Sequence, residues 1–251
     1  MKNKMLAFLL TGAMALSMTS AVFAGETEAS TEGTDSPYAV MQGVDADNTA
    51  WTILFNLTDP SAPTATVAAS ASTDDVAAIT GDLAFDTDNG KFTITDSEGT
   101  VSTFLYKDET ACTSSFASEN GKTSFTCSAV DPTISEVIND YIFYTGLDSE
   151  GDSRTIGFNS DMSYMLFGFK FADGSDQAAL AWQVKDVQKD GLNISATVVS
   201  DEGDEYPITI AFADDSAITC TISFDGEEYQ ASLVNPGVFP EFDATQSQTE
   251  G

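Results

Sequence analysis

Two short acidic loops are the first places where this sequence could do chemistry. Asp45-Ala46-Asp47-Asn48 and Asp148-Ser149-Glu150-Gly151-Asp152 set carboxylates at alternate positions of a tight turn. Such carboxylates can converge on a hard cation, which takes about six to eight oxygen ligands. Asp45, Asp47, Asp148, Glu150 and Asp152 are therefore candidate Ca²⁺ ligands, and no other cofactor is expected. Neither loop carries the glycine and distal glutamate of an EF-hand, so the plainer reading is a solvated acidic turn. Asp86-Thr87-Asp88-Asn89-Gly90 is a hairpin signal rather than a metal loop.

Other chemistries are closed by residue type. Histidine is absent, so no Ser-His-Asp or Cys-His nucleophile and no histidine-ligated zinc or iron site can be assembled. Arg154 is the sole arginine, which disfavours a phosphate clamp. Gly121-Lys122-Thr123 resembles the end of a P-loop, but Phe116 stands where the first glycine belongs. Three cysteines leave one over in any disulfide scheme. A four-residue loop, Ser118 to Gly121, would pair Ala117 with Lys122 and set Cys112 opposite Cys127. A Cys112–Cys127 bridge with Cys220 buried and free is the expectation. The alternative is three reduced, buried thiols.

The elements that hold these residues are written twice. Tyr38 to Asn56 (YAVMQGVDADNTAWTILFN) aligns without a gap on Tyr141 to Asn159 (YIFYTGLDSEGDSRTIGFN), with seven of nineteen positions identical. Collinear matches continue: Asp75–Ile79 on Asp176–Leu180, Cys112–Phe116 on Cys220–Phe224, and Phe125–Val130 on Tyr229–Val234. A near-constant spacing of this kind argues for duplication. Each half is a run of short alternating segments separated by Asn-Gly, Asp-Gly, Lys-Asp and similar turns, the signature of successive hairpins. The chain is expected to be all-β: two tandem, duplicated antiparallel β-meander halves of about eight strands, each a small barrel or a sandwich. The predicted boundaries are residues 38–130 and 141–234, joined by 131–140. In the joint, Thr133 could cap a helical turn presenting Ile134, Val137 and Ile138 on one face. Residues 25–37 and 235–251 are polar or acidic tails.

The halves differ at one strand. Met165, Phe167, Phe169 and Phe171 share a face in the second, where the first presents Ala65, Val67, Ala69 and Ala71. Interiors are close-packed, so the missing volume is filled, collapsed or left open. An opening would be a ligand pocket beside Trp51, Ala65, Val67 and Ala69. Trp51 as filler, collapse of the sheets, and receipt of the other half's surface are the competing outcomes.

The N-terminus MKNKMLAFLLTGAMALSMTSAVFA has a basic start, an apolar middle and small residues before the cut, which predicts a bacterial-type secretory signal peptide cleaved after Ala24. Without Lys2 and Lys4, seven basic residues face 40 acidic ones. Such a chain is repelled by nucleic acid and anionic lipid. The expected function is a secreted, non-enzymatic binding protein for a small ligand, a glycan or an extracellular protein, without membrane insertion. A structural or adhesive surface protein is the alternative. A two-carboxylate glycoside hydrolase ranks below both, since no strand motif places its carboxylates on one face.

Overall fold

The computed structural model describes residues 38–239 apart from 73–74, 87–88, 110–112, 119–122, 131–133, 135–136 and 173–176. The predicted signal peptide, the acidic segment 25–37, Cys112, Thr133 and residues 240–251 lie outside the described residues. Among the described residues, no helix is long and apolar enough to cross a membrane.

Sixteen strands form two closed antiparallel barrels in strict chain order. The first contains β1 (Tyr38–Asp45), β2 (Ala50–Asn56), β3 (Thr64–Ser72), β4 (Asp75–Asp86), β5 (Lys91–Thr95), β6 (Val101–Glu109), β7 (Thr113–Ser118) and β8 (Ser124–Val130). The second contains β9 (Tyr141–Leu147), β10 (Ser153–Asn159), β11 (Tyr164–Lys170), β12 (Gln177–Asp190), β13 (Asn193–Val199), β14 (Glu205–Phe212), β15 (Thr219–Phe224) and β16 (Glu227–Leu233). The expected duplication and strand number are both present, and closure decides for barrels over sandwiches. Closure pairs β1 with β8 and β9 with β16, so neither sheet leaves an unpaired edge. Gly43 and Gly146 stand at these two seams. A Cβ would meet the Thr126 carbonyl oxygen at 2.3 Å in one and that of Gln230 at 1.9 Å in the other.

Alternation fixes which side chains point inward. In the first barrel, Ala65 and Val67 of β3 face a ring of phenylalanines from other strands. Phe92 is its hub, with ring centroids 5.4 Å from Phe55, 5.0 Å from Phe104 and 5.7 Å from Phe116. The second barrel reverses the distribution. Met165 and Phe167 of β11 face Ile208, Ile210, Ile222 and Ala196, with Phe224 5.1 Å from Phe167. Volume missing on β3 is thus supplied from across the barrel. Trp51 packs flat on Phe125, with centroids 4.8 Å apart and planes 6° from parallel.

Three local features differ from the sequence expectations. Strand β7 pairs with β8 so that Ser114 faces Cys127 and Ala117 faces Ser124, a register two residues away from the one that would set Cys112 opposite Cys127. The Ser118 N–H to Thr123 carbonyl bond of 2.9 Å makes 118 and 123 the closing pair, each one residue later than the expected 117 and 122. In the second half, the Lys185-Asp186 pair runs into a bulge within β12 at Asp186-Val187, with Asp186 at φ 55°, and the hairpin turns later at Gly191. Residues 235–239, expected as the start of a tail, pack against the barrels, with Asn235, Val238 and Phe239 buried.

The outer faces of β1, β2 and β3 meet those of β9 and β11. Val40, Leu54, Ala68, Val130, Phe143, Leu166, Val234 and Val238 form one buried cluster there, joined by Ile134 and Ile138 of the connecting segment. The apolar face expected of that segment therefore seals the joint. Around the cluster runs a rim of hydrogen bonds. Asn235 donates its N–H to Thr52 Oγ1 (3.0 Å) and its Nδ2 to Ser70 Oγ (2.6 Å). Ser153 Oγ donates to the Ala129 carbonyl (2.6 Å), and Thr219 Oγ1 donates to Asn48 Oδ1 (3.0 Å). Strand β1 lies by β16 and β8 by β9, and each contact is the other's repeat equivalent, so the halves meet in an approximately twofold manner.

Candidate functional site

Two cavities stand out among the described residues. The larger, of about 700 Å³, is an open groove between the barrels along their two closing seams. From the first barrel it is lined by Gln42, Gly43, Val44 and Asn48 and by Ser124, Phe125, Thr126 and Ser128; from the second by Thr145, Gly146, Leu147, Thr219, Gln230, Ala231 and Ser232. Equivalent positions recur on its two walls: Gly43 and Gly146, Val44 and Leu147, Thr126 and Gln230, Ser128 and Ser232. None of these 15 residues is charged, in a chain in which 20% are. Hydroxyls and carboxamides supply donors and acceptors, and Val44, Leu147 and the glycines supply apolar floor. Gln42 ties the walls together, donating Nε2 to Ser232 Oγ at 3.4 Å and accepting from the Thr52 hydroxyl. Among the described residues, no carboxylate lines the groove. The smaller cavity, about 460 Å³, lies beside Tyr206, Phe224 and the Asp225-Gly226 turn.

Neither cavity is lined by Trp51, Ala65, Val67 or Ala69. Ala65 and Val67 are buried in the first core. Trp51 is half-buried and donates Nε1 to Asp45 Oδ2 at 2.9 Å. The groove runs along the opposite side of the barrel wall, on outward-facing positions.

Three of the five acidic candidates hold loop backbone. Asp45 Oδ1 accepts the N–H groups of Asp47 (2.9 Å) and Thr49 (3.0 Å). Asp148 Oδ1 accepts those of Glu150 and Asp152, both at 3.0 Å. Asp152 Oδ1 accepts from Ala172 N–H (2.8 Å). Asp47 and Glu150 project to solvent. Among the described residues, no three Asp, Glu, Cys or His side chains stand together as a metal set. Cys127 and Cys220 are buried free thiols. Burial pushes the Cys220 thiol up to about 12 and raises Cys127 too, so neither supplies thiolate near neutral pH.

Inside the second barrel, the equivalents of Trp51 and Asp45 make a polar corner. Arg154 shares the inward phase of Ile156 and Phe158. Its Nε and one terminal nitrogen both reach Asp148 Oδ2 at 2.7 Å. The guanidinium stands 5.7 Å from the Phe169 ring centre and 6.0 Å from that of Phe167, a cation–π arrangement. Burial pushes the Asp148 carboxyl up, but the Arg154 donation and the Asp152 and Glu150 N–H groups outweigh it and hold the group below its ordinary value. Tyr229, the equivalent of Phe125, is 4% exposed, and its hydroxyl has no hydrogen-bond partner among the described residues. Sequence comparison of the halves carried this signal, since an arginine and a tyrosine replace a tryptophan and a phenylalanine at inward positions. The groove gave none, because its residues are unremarkable one by one and are spread from position 42 to 232.

No protein-family model matches the chain, and no curated protein matches it in sequence. Among solved structures it is similar to a Nitrosomonas europaea protein provisionally named AttH, with 11% identity over 81% of this chain and 92% of that one, at a TM-score of 0.32. It is also similar to the DNA polymerase III β subunit of Pseudomonas aeruginosa, with 13% identity over 98% of this chain and 67% of that one, at a TM-score of 0.14. Likenesses this distant say nothing about function.

Proposed function

We propose that this is an exported, non-enzymatic binding protein whose ligand lies in the groove between the two barrels. The observation that carries the reading is the groove's uncharged, hydrogen-bonding lining in a strongly acidic chain. A charged ligand would meet no counter-charge there. A neutral polyhydroxylated ligand, such as a glycan, would find donors and acceptors on both walls and apolar floor beneath. Export rests on the basic, apolar and small-residue pattern of residues 1–24. The absence of histidine, and of any carboxylate among the described residues of the groove, supports binding over catalysis.

The test is a panel of neutral oligosaccharides offered to the mature protein. Thr126 and Gln230 are exposed on opposite walls, so Thr126→Trp and Gln230→Trp fill the groove without disturbing the cores. Binding that both substitutions abolish is the expected result. Binding that survives both would place the ligand elsewhere, and no binding across the panel would end the glycan reading.

A further inference from the structure

The polar corner of the second barrel has a donor set that the described residues do not use up. Asp148 takes the side of the Arg154 guanidinium formed by Nε and one terminal nitrogen, through a single carboxylate oxygen. The end formed by the two terminal nitrogens is left, a parallel pair of N–H groups of the geometry that receives a carboxylate in bidentate fashion. Asp148 cannot turn to it, because its other oxygen already holds two backbone N–H groups. The Arg154 side chain is 18% exposed, so the corner is not sealed from solvent.

Strand register brings Tyr229 to the same corner. Arg154 pairs with Gly146, and Gly146 pairs with Ala231. Tyr229 lies two residues along β16 from Ala231, on the same inward face, and Gly146 between them contributes no side chain. Arg154 and Asp148 both bear on the ionisation of the Tyr229 hydroxyl. That hydroxyl is buried without a partner among the described residues, a state that costs stability unless something fills it. The half-buried ring of Phe169 faces the guanidinium, and that of Phe171 lies 5.3 Å beyond it. The first barrel makes the contrast: Trp51 spends its N–H on Asp45 and stacks on Phe125, leaving no orphan.

We propose that this corner is a second binding site, independent of the groove, for a small organic monocarboxylate. Its carboxylate lies on the end-on face of Arg154 and accepts from the Tyr229 hydroxyl, and its apolar body lies against Phe169 and Phe171. Two guanidinium N–H groups and one hydroxyl present three donors to the ligand, which favours an anion. The neutral amide of the same shape would turn an NH₂ group toward N–H donors.

Calorimetry on the mature protein with acetate, octanoate and phenylacetate, against phenylacetamide as the neutral control, tests this. Expected is binding of octanoate or phenylacetate, with phenylacetamide at least about tenfold weaker. Tyr229→Phe should weaken carboxylate binding about tenfold without lowering the melting temperature. It keeps the ring and the Arg154–Asp148 pair, so it avoids the buried unpaired charge that loss of Arg154 would leave. Thr126→Trp should leave carboxylate binding unchanged, which separates this site from the groove. No heat with any of the three carboxylates up to about 10 mM, beyond the weak end of useful affinity, would overturn the proposal. So would equal binding of the amide, or undiminished binding by Tyr229→Phe.

Discussion

The corner at Asp45 and the corner at Asp148 are the same construction with different contents. In both, an aspartate at the end of the first strand of its barrel takes two backbone N–H groups on one oxygen and an inward side chain from the next strand on the other. In the first barrel that side chain is Trp51, stacked on Phe125. In the second it is Arg154, beside Tyr229. The turn needs only the aspartate, so the duplicated halves retain it. The interior position across from it is open to change, and the second barrel has exchanged an apolar, self-satisfied pair for a cation and a hydroxyl. One copy keeps the packing solution while the other carries polar groups that packing does not require.

The cores contrast in the same way, and breaking them gives the largest expected effect. Phe92 gathers Phe55, Phe104 and Phe116 around it opposite the small residues of β3. Phe92→Ala should cost about 4 kcal/mol, because the surrounding rings cannot collapse into the space. The interface sharpens this prediction. One apolar cluster joins the barrels, so they should unfold together. In a Trp51→Phe background only Trp182, in the second barrel, reports by fluorescence. Urea unfolding followed at Trp182 should shift with Phe92→Ala although the residue lies in the other barrel. An unshifted Trp182 transition would make the barrels independent.

Next in size is the comparison of the two aspartates. Asp148→Asn removes the counter-charge from a mostly buried arginine and should cost about 3 kcal/mol, the lower part of the range for breaking a buried pair, since Arg154 is partly exposed. Asp45→Asn has no cation to strand and should cost about 1 kcal/mol. The pH dependence follows in sign. The folded Asp148 carboxyl lies below its ordinary value, so the unfolded chain binds its proton more readily. Its contribution is complete above the unfolded value of about 3.9 and is lost as pH falls through the folded one. Melting temperatures between about pH 6 and pH 3 should therefore fall more steeply for the unsubstituted protein than for Asp148→Asn. Parallel curves would mean that Asp148 titrates alike in both states.

Much of this fold was legible, and what was not has physical reasons. Duplication, strand number and the inward face of β11 follow from alternation and turn residues, which are local. Barrel closure is not local: the same alternation describes a sandwich, and only the β1–β8 and β9–β16 pairings distinguish them. The β7–β8 register was missed because a four-residue loop can be centred one residue earlier or later around Glu-Asn-Gly-Lys, and the resulting two-residue slip keeps every side chain on its face. Lys185-Asp186 resembles a turn because a bulge and a turn both admit a residue at positive φ. The alternating carboxylates of the two acidic loops look alike whether the first oxygen holds a cation or two N–H groups. The uncharged groove depends on outward positions of strands nearly two hundred residues apart, which no local pattern joins.

The smallest effect is the most discriminating, since it predicts opposite signs for one substitution at two sites of the same barrel. Tyr144 and Tyr229 are both buried, at 5% and 4% exposure, and burial pushes the ionisation of both phenols to higher pH. Tyr144 donates its hydroxyl to the Ala217 carbonyl at 3.0 Å, whereas the Tyr229 hydroxyl has no partner among the described residues. Tyr144→Phe removes a made hydrogen bond and leaves the carbonyl of the Ala217 loop short of a donor, so it should cost about 1 kcal/mol. Tyr229→Phe removes a group that was desolvated for nothing in the unliganded protein, so it should gain about 1 kcal/mol. Both changes keep the ring, which confines the difference to the hydroxyl. Chemical denaturation of the two variants, without added carboxylate, reads the signs directly. Equal losses at both positions would mean that Tyr229 has a partner in solution, a bound water or a retained ligand. Repeating the measurement after exhaustive dialysis would tell these apart, because a retained ligand should wash out and a buried water should not.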